Sequence, residues 1–299
     1  MIKKTNHKKA FSMLELLFVI VIMGILGKFG VEFMAQAYQG FIFSKIDNDL
    51  QSKSESAVEF IAKRLEHRIK KSVISRNTAT GTYNFINDVG LSDSNATVLE
   101  WVSADIDGFR GNVAPLWSGI IDLNSSNATR LISTATNLNA ENTQIGILSS
   151  AGATVNDSAI YFINSYLTTN PWGYNGIVGD QNETIHPIQS GPNVNELWPK
   201  TSNFSGKEVF EYYKLSWTAY AIELGDYNDT THIGNLYLYY NYRPWKGETY
   251  VANGTKVLLA QGINTFRFRS AGSLIKIQVC AKSDLTGEEY ALCKEKTVY

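Results

Sequence analysis

The chain predicts an α+β protein: a long N-terminal α-helix, half membrane-embedded and half amphipathic, packed on an antiparallel β-sheet head with long loops. Three observations carry this. Residues 8–34, KKAFSMLELLFVIVIMGILGKFGVEFM, form an apolar run almost without charge. Ile46, Leu50, Ala57, Ile61, Leu65, Ile69 and Val73 then fall mostly at helical spacing. Near the C-terminus, residues 266–269 (FRFR) and 275–279 (IKIQV) alternate, as a sheet with one buried and one wet face requires.

The N-terminus comes first. Lys3, Lys4, His7, Lys8 and Lys9 precede the small residue Ala10, and the apolar run follows. By the positive-inside rule the basic end stays cytoplasmic and the rest is sent outward. One acid, Glu15, sits near the start of the run. A carboxylate at that depth costs about 3 kcal/mol on insertion scales, so it needs a compensating partner. A secretory signal would carry its small-residue cleavage site after the apolar region, and residues 27–30 (GKFG) match that poorly. A plain signal anchor has no use for Glu15.

The segment resembles the N-terminus of type IV prepilins and type II secretion pseudopilins. In that family a short basic leader is removed just before a Phe, and Glu follows four residues later. Phe11 and Glu15 match; Ala10 departs from the usual Gly but is still small. The resemblance implies cleavage between Ala10 and Phe11, N-methylation of Phe11, and an assembly role for Glu15, whose carboxylate pairs with a neighbouring subunit's N-terminal amine. It divides the chain into a leader (1–10), a transmembrane and spine helix (11–76), and a periplasmic head (77–299) with an irregular insertion at about 77–210.

The spine reading rests on the residues as well. No proline precedes Pro115, and Glu59–Lys63 and Glu66–Lys70 stand at i, i+4 on the polar face. A helix of about 66 residues would span roughly 100 Å. Gly24, Gly27, Gly30 and Gly40 interrupt it, as membrane helices tolerate. Beyond Asn77 and Gly81 the chain turns rich in Asn, Ser, Thr and Gly. Short strands are expected at 98–103, 119–123, 144–148 and 159–163, and an extended, irregular surface segment at 170–206, where Pro171, Pro187, Pro192 and Pro199 cluster. Residues 215–224 and 235–243 read as adjacent strands. A hairpin at 266–279 turns at Ala271-Gly272-Ser273. Residues 257–269 (VLLAQGINTFRFR), followed by a turn and a strand, are similar to the C-terminal sheet of larger minor pilins.

Charge is unevenly spread. Residues 1–76 hold 13 Lys/Arg against 7 acids, 77–199 hold 2 against 11, and 200–299 hold 12 against 10. The acidic middle would repel phosphate, so no broad nucleic-acid binding is expected. Two cysteines, Cys280 and Cys293, read as a disulfide in an oxidising periplasm. The alternatives are two buried thiols or a metal pair, and two ligands alone do not make a zinc site. Four Asn-x-Ser/Thr sites, at Asn95, Asn124, Asn182 and Asn228, carry an acid two residues upstream, the longer acceptor of some bacterial oligosaccharyltransferases.

Enzyme signals are weak. No G-x-S-x-G, H-E-x-x-H or phosphate loop occurs, and His186 and His232 read as surface residues. Asp105-Ile106-Asp107-Gly108 begins like a calcium loop but lacks the closing ligands. No metal or cofactor is assigned. The expected function is a non-enzymatic minor pseudopilin or minor pilin in the inner membrane. It would have its head in the periplasm, other subunits and the prepilin peptidase as partners, and a place in an initiation or tip complex. The alternatives are a membrane-tethered periplasmic enzyme, or a glycan- or DNA-binding tip using Trp172, Tyr174, Trp198 and Trp245.

Overall fold

The computed structural model describes residues 12–88, 97–165, 172–179, 181, 184–283 and 290–299. The chain divides into two compact units, residues 1–49 and 50–299. In the first, the described residues are the opening of helix α1 (Met13–Leu65). Its apolar side chains from Met13 to Phe43 are largely exposed, and the helix is long and apolar enough to cross a membrane. A Cβ on Gly24, Gly27, Gly30 or Gly40 would meet only open space.

In the second unit α1 buries Leu50, Ala57, Val58, Ile61, Ala62 and Leu65, the stripe the 3.6-residue period marks. Its polar edge is tied to the sheet: Glu55 pairs with Lys294 at 3.6 Å, Glu59 with Lys296 at 2.6 Å, and Arg64 donates to the Tyr220 hydroxyl at 3.2 Å. The helix ends at Leu65, earlier than the expected Arg76. Arg68 Nη1 donates to the Leu65 carbonyl at 2.7 Å, satisfying a terminal acceptor. From there the backbone finds sheet partners: Ile69 N–H bonds Val102 O, and Ile74–Arg76 becomes a strand. The helical spacing of Ile69 and Val73 continues, but tertiary pairing overrides it.

Fourteen strands follow among the described residues: β1 (Ile74–Arg76), β2 (Tyr83–Phe85), β3 (Val98–Ser103), β4 (Ile121–Asn127), β5 (Arg130–Ser133), β6 (Ala159–Phe162), β7 (Ile185–Ser190), β8 (Glu196–Pro199), β9 (Tyr213–Ser216), β10 (Thr218–Asn228), β11 (Ile233–Tyr242), β12 (Thr255–Ala271), β13 (Leu274–Ser283) and β14 (Tyr290–Val298). Three shorter helices join them: α2 (Ile106–Arg110), α3 (Leu138–Leu148) and α4 (Tyr250–Asn253). The strands build two antiparallel sheets, ordered β14-β13-β12-β11-β10-β3-β1-β2 and β4-β5-β8-β7-β6-β9.

The second sheet occupies the stretch expected to be irregular. Strands β7 and β8 lie inside 170–206, and Pro187 stands in β7 opposite Ala159 with its carbonyl accepting from Lys200. The short strand β6 reads as an apolar run because both faces are buried. Ala159 and Tyr161 enter one core with Trp172, Tyr242 and Trp245, while Ile160 and Phe162 enter another with Leu138, Ile145 and Trp217. Residues 144–148 are the end of helix α3, not a strand. Asn137 caps that helix by accepting from Ala140 N–H at 3.1 Å, and Leu138, Glu141 and Ile145 form its buried face. The single strand expected at 215–224 is two. The chain leaves the second sheet after Ser216 and enters the first at Thr218, with buried Trp217 as the corner.

Strand β12 serves two neighbours. Its first half pairs with β11 and its second with β13, and the register slips beside Gly262, whose φ is +74°. That is a bulge at a position where glycine alone is unstrained.

Candidate functional site

Ala10 and Phe11 lie outside the described residues. Glu15 stands in the first turn of α1. The Ser12 hydroxyl accepts from Glu15 N–H at 3.2 Å, and Glu15 Oε2 accepts from Ser12 N–H at 3.5 Å. This reciprocal pair is a capping box, and its S-x-x-E spacing was visible in the sequence. Glu15 therefore has a local partner for its carboxylate at the helix start, besides any role between subunits.

Cys280 and Cys293 are joined by a disulfide. They face each other in the register of β13 and β14. At the opposite end of the same strand pair, where Ile275 faces Val298, Arg68, almost fully buried, donates to the carbonyls of Leu65, Ser273, Val298 and Tyr299. One guanidinium so holds the helix end to the last hairpin.

Asn95 and Asn182 lie outside the described residues. Asn124 and Asn228 are exposed. Asp122 is held by its own turn, accepting from Asn124 N–H, Ser125 N–H and the Ser125 hydroxyl. These hydrogen bonds pull its pKa below the usual carboxylate value. Asp226 accepts from Tyr237 and Asn235. Asn228 Oδ1 accepts from Thr230 N–H and Thr231 N–H, closing the β10–β11 turn.

His186, expected at the surface, belongs to the core, as do most of the aromatics that the glycan- or DNA-binding alternative would use. Trp172, Tyr174 and Trp245 are buried, and only Trp198 of the four aromatics is exposed. His186 is buried between Phe162 and Phe204 with Nδ1 2.9 Å from Gln181 Oε1. Burial lowers its pKa to about 4, so the ring is neutral at physiological pH. Arg76 and Glu100 form a buried ion pair at 2.9 Å, completed by the Tyr242 hydroxyl donating to Glu100 at 3.0 Å. Every charge there has a partner, as a structural pair needs.

The segment at Asp105–Gly108 opens helix α2, and the Asp105 carboxylate accepts from two indoles, Trp117 at 2.8 Å and Trp217 at 3.3 Å. The acid that resembled a calcium ligand is thus bound to N–H donors. Behind it Glu141 is wholly buried, and as a carboxylate it would meet no donor. Burial, then the Asp105 charge, raises the Glu141 pKa to about 9. At neutral pH it keeps its proton, which the neighbouring Asp105 carboxylate stabilises.

In front of Asp105 opens a cavity of about 400 Å³ between the end of α1, α2 and β9. Phe109, Trp117, Ile120, Ile163 and Tyr212 give it apolar walls, and His67 and Lys214 are polar groups on its lining. The Trp117 ring packs 4.9 Å from Phe109 and 5.5 Å from Tyr213. Nothing in the local sequence marks this place, because its walls come from five separate stretches of chain. No family model matches this chain, and neither the curated proteins nor the solved structures compared with it contain a match.

Proposed function

We propose that the chain is a minor pseudopilin or minor pilin, a structural subunit of a type II secretion or type IV pilus-like filament. The carrying observation is an apolar helix with a single acid, Glu15, in its first turn, preceded by a basic leader and Phe11. Glu15 lies four residues after Phe11. Removal of the leader between Ala10 and Phe11 would put a cationic amine one residue before the helix cap. An amine there is the counter-charge that a membrane-buried carboxylate of a neighbouring subunit requires. The amphipathic half of α1 on an antiparallel sheet supports a subunit whose head is carried outside the membrane. The head is periplasmic in this reading, the leader cytoplasmic, and the partners are other filament subunits and the prepilin peptidase. The broad second sheet favours a minor subunit, since a bulky head would crowd a filament made of many copies.

The test is co-expression with a prepilin peptidase, followed by intact-mass and N-terminal peptide analysis. The expected mature start is N-methylated Phe11. Retention of Met1, or cleavage after Gly27, rejects the reading.

A further inference from the structure

We infer that the cavity between α1, α2 and β9 is a binding site for a small amphipathic anion, an aromatic or aliphatic body carrying one carboxylate. The inference stands independently of the filament reading. It rests first on the walls. Phe109, Ile163 and Tyr212 keep 42 %, 46 % and 49 % of their surface exposed, all on the same cavity. Large apolar side chains gathered round one concavity and left uncovered mark a binding site more than a scatter of surface residues does.

The floor is preorganised. Trp117 is buried and held by its indole bond to Asp105. Tyr213 is buried and its hydroxyl lies 2.7 Å from Ser133 Oγ. Neither ring needs to reorient to receive a ligand, so little conformational entropy is lost on binding. The cavity volume of about 400 Å³ falls in the range of roughly 300–1,000 Å³ typical of small-molecule sites.

The charge selects the sign of the ligand. Lys214 is half-buried on the cavity lining, and among the described residues its ammonium has neither a hydrogen bond nor an ion pair. Burial, then the Lys70 and Arg68 charges, depresses its pKa. Of the two carboxylates on the lining, Asp105 is taken by the indoles and Glu66 is exposed to solvent. An anionic head would supply the counter-charge that Lys214 lacks, while its body covers the aromatic walls.

The experiment uses the full chain in lipid nanodiscs, with empty nanodiscs as reference. The probe is 3-(4-fluorophenyl)propanoate, followed by fluorine NMR line broadening. Saturable binding with a Kd below about 1 mM is expected. The cationic analogue 2-(4-fluorophenyl)ethylammonium should bind at least about tenfold more weakly. Lys214→Met should weaken the anion by a similar factor, Lys214→Arg should retain it, and Ile163→Trp should abolish it by filling the space. Near-UV circular dichroism checks that each variant keeps its core. Absence of saturable binding to the wild type overturns the inference. Equal binding of anion and cation, or binding unchanged in both Lys214→Met and Ile163→Trp, does so as well.

Discussion

Two single carboxyls carry the sharpest expectations. Glu15 caps its helix through Ser12, and the filament reading also gives it a charge to contribute. Glu15→Gln separates the two, because Gln preserves the capping spacing and removes the charge. Under the filament reading Glu15→Gln inserts in the membrane but fails to co-purify with partner subunits, as Glu15→Ala does. A Gln variant that assembles like wild type leaves Glu15 with capping alone. Glu141 is a question of pH. Its pKa in the folded state is about 9, well above the ordinary value near 4.5 in the unfolded chain. The folded state therefore holds a proton that the unfolded state releases. Its contribution is whole below about pH 4.5 and is lost as pH rises towards 9, by up to about 1.4 kcal/mol per unit. Glu141→Gln cannot ionise, so its thermal midpoint should exceed that of wild type at pH 8 and converge with it at pH 5. Parallel melting curves across that range would show that Glu141 does not bury a proton. Gly108 belongs to the same arrangement: a Cβ there would stand 2.1 Å from both Asp105 Oδ2 and Glu141 Oε2. Gly108→Ala should destabilise the head by about 1–3 kcal/mol, read from denaturant unfolding.

Among the elements, the last hairpin is held most heavily. The disulfide ties β14 to β13, Arg68 ties its end to α1, and Lys294 and Lys296 reach Glu55 and Glu59 along the helix. The disulfide closes a short loop, and the chain-entropy model assigns such a loop about 3 kcal/mol. Cys280→Ser with Cys293→Ser should lower the melting temperature by several degrees. Strand β14 should stay paired, because the other ties do not pass through sulfur. Hydrogen exchange of residues 290–298 in the double variant measures this; loss of protection there at a temperature where β11 remains protected would show the disulfide to be the main tie. Alkylation of both thiols in the native protein without reductant would deny the bridge itself.

At the scale of the whole molecule the question is which surfaces are left for partners. If the host has the acid-requiring transferase, glycans at Asn124 and Asn228 would stand on exposed turns. At Asn228 the fold uses only Oδ1, so a sugar on Nδ2 leaves the turn intact. Asp122 and Asp226 are both engaged by their neighbours once folded, so modification should precede folding. Glycopeptide mass spectrometry of protein from its native host is the measurement. Asp226→Ala should remove the modification from Asn228 and spare Asn124; unmodified peptides in cells with an active transferase would reduce the motif to loop composition.

What the chain determined alone is what one segment can report about itself. The apolar run from Met13 and the stripe on α1 showed a helix with two environments, and the alternation at residues 266–279 showed the β12–β13 hairpin, with two cysteines placed to bridge its neighbour. Periodicity says only that one face is buried. It does not say what covers that face, and every miss follows from this. The helical spacing of Ile69 and Val73 lost to backbone pairing, Ile69 with Val102 of β3 and Val73 with Ile86. The alternation across Trp217 hid a passage from one sheet to the other. His186 looked like a surface residue until Phe162 and Phe204, distant in sequence, closed over it. The carboxyl pair of Asp105 and Glu141 and the cavity beside Lys214 arise only where separate stretches meet. They were decided by tertiary structure, because desolvation and charge pairing depend on what packs nearby in space and not on neighbours along the chain.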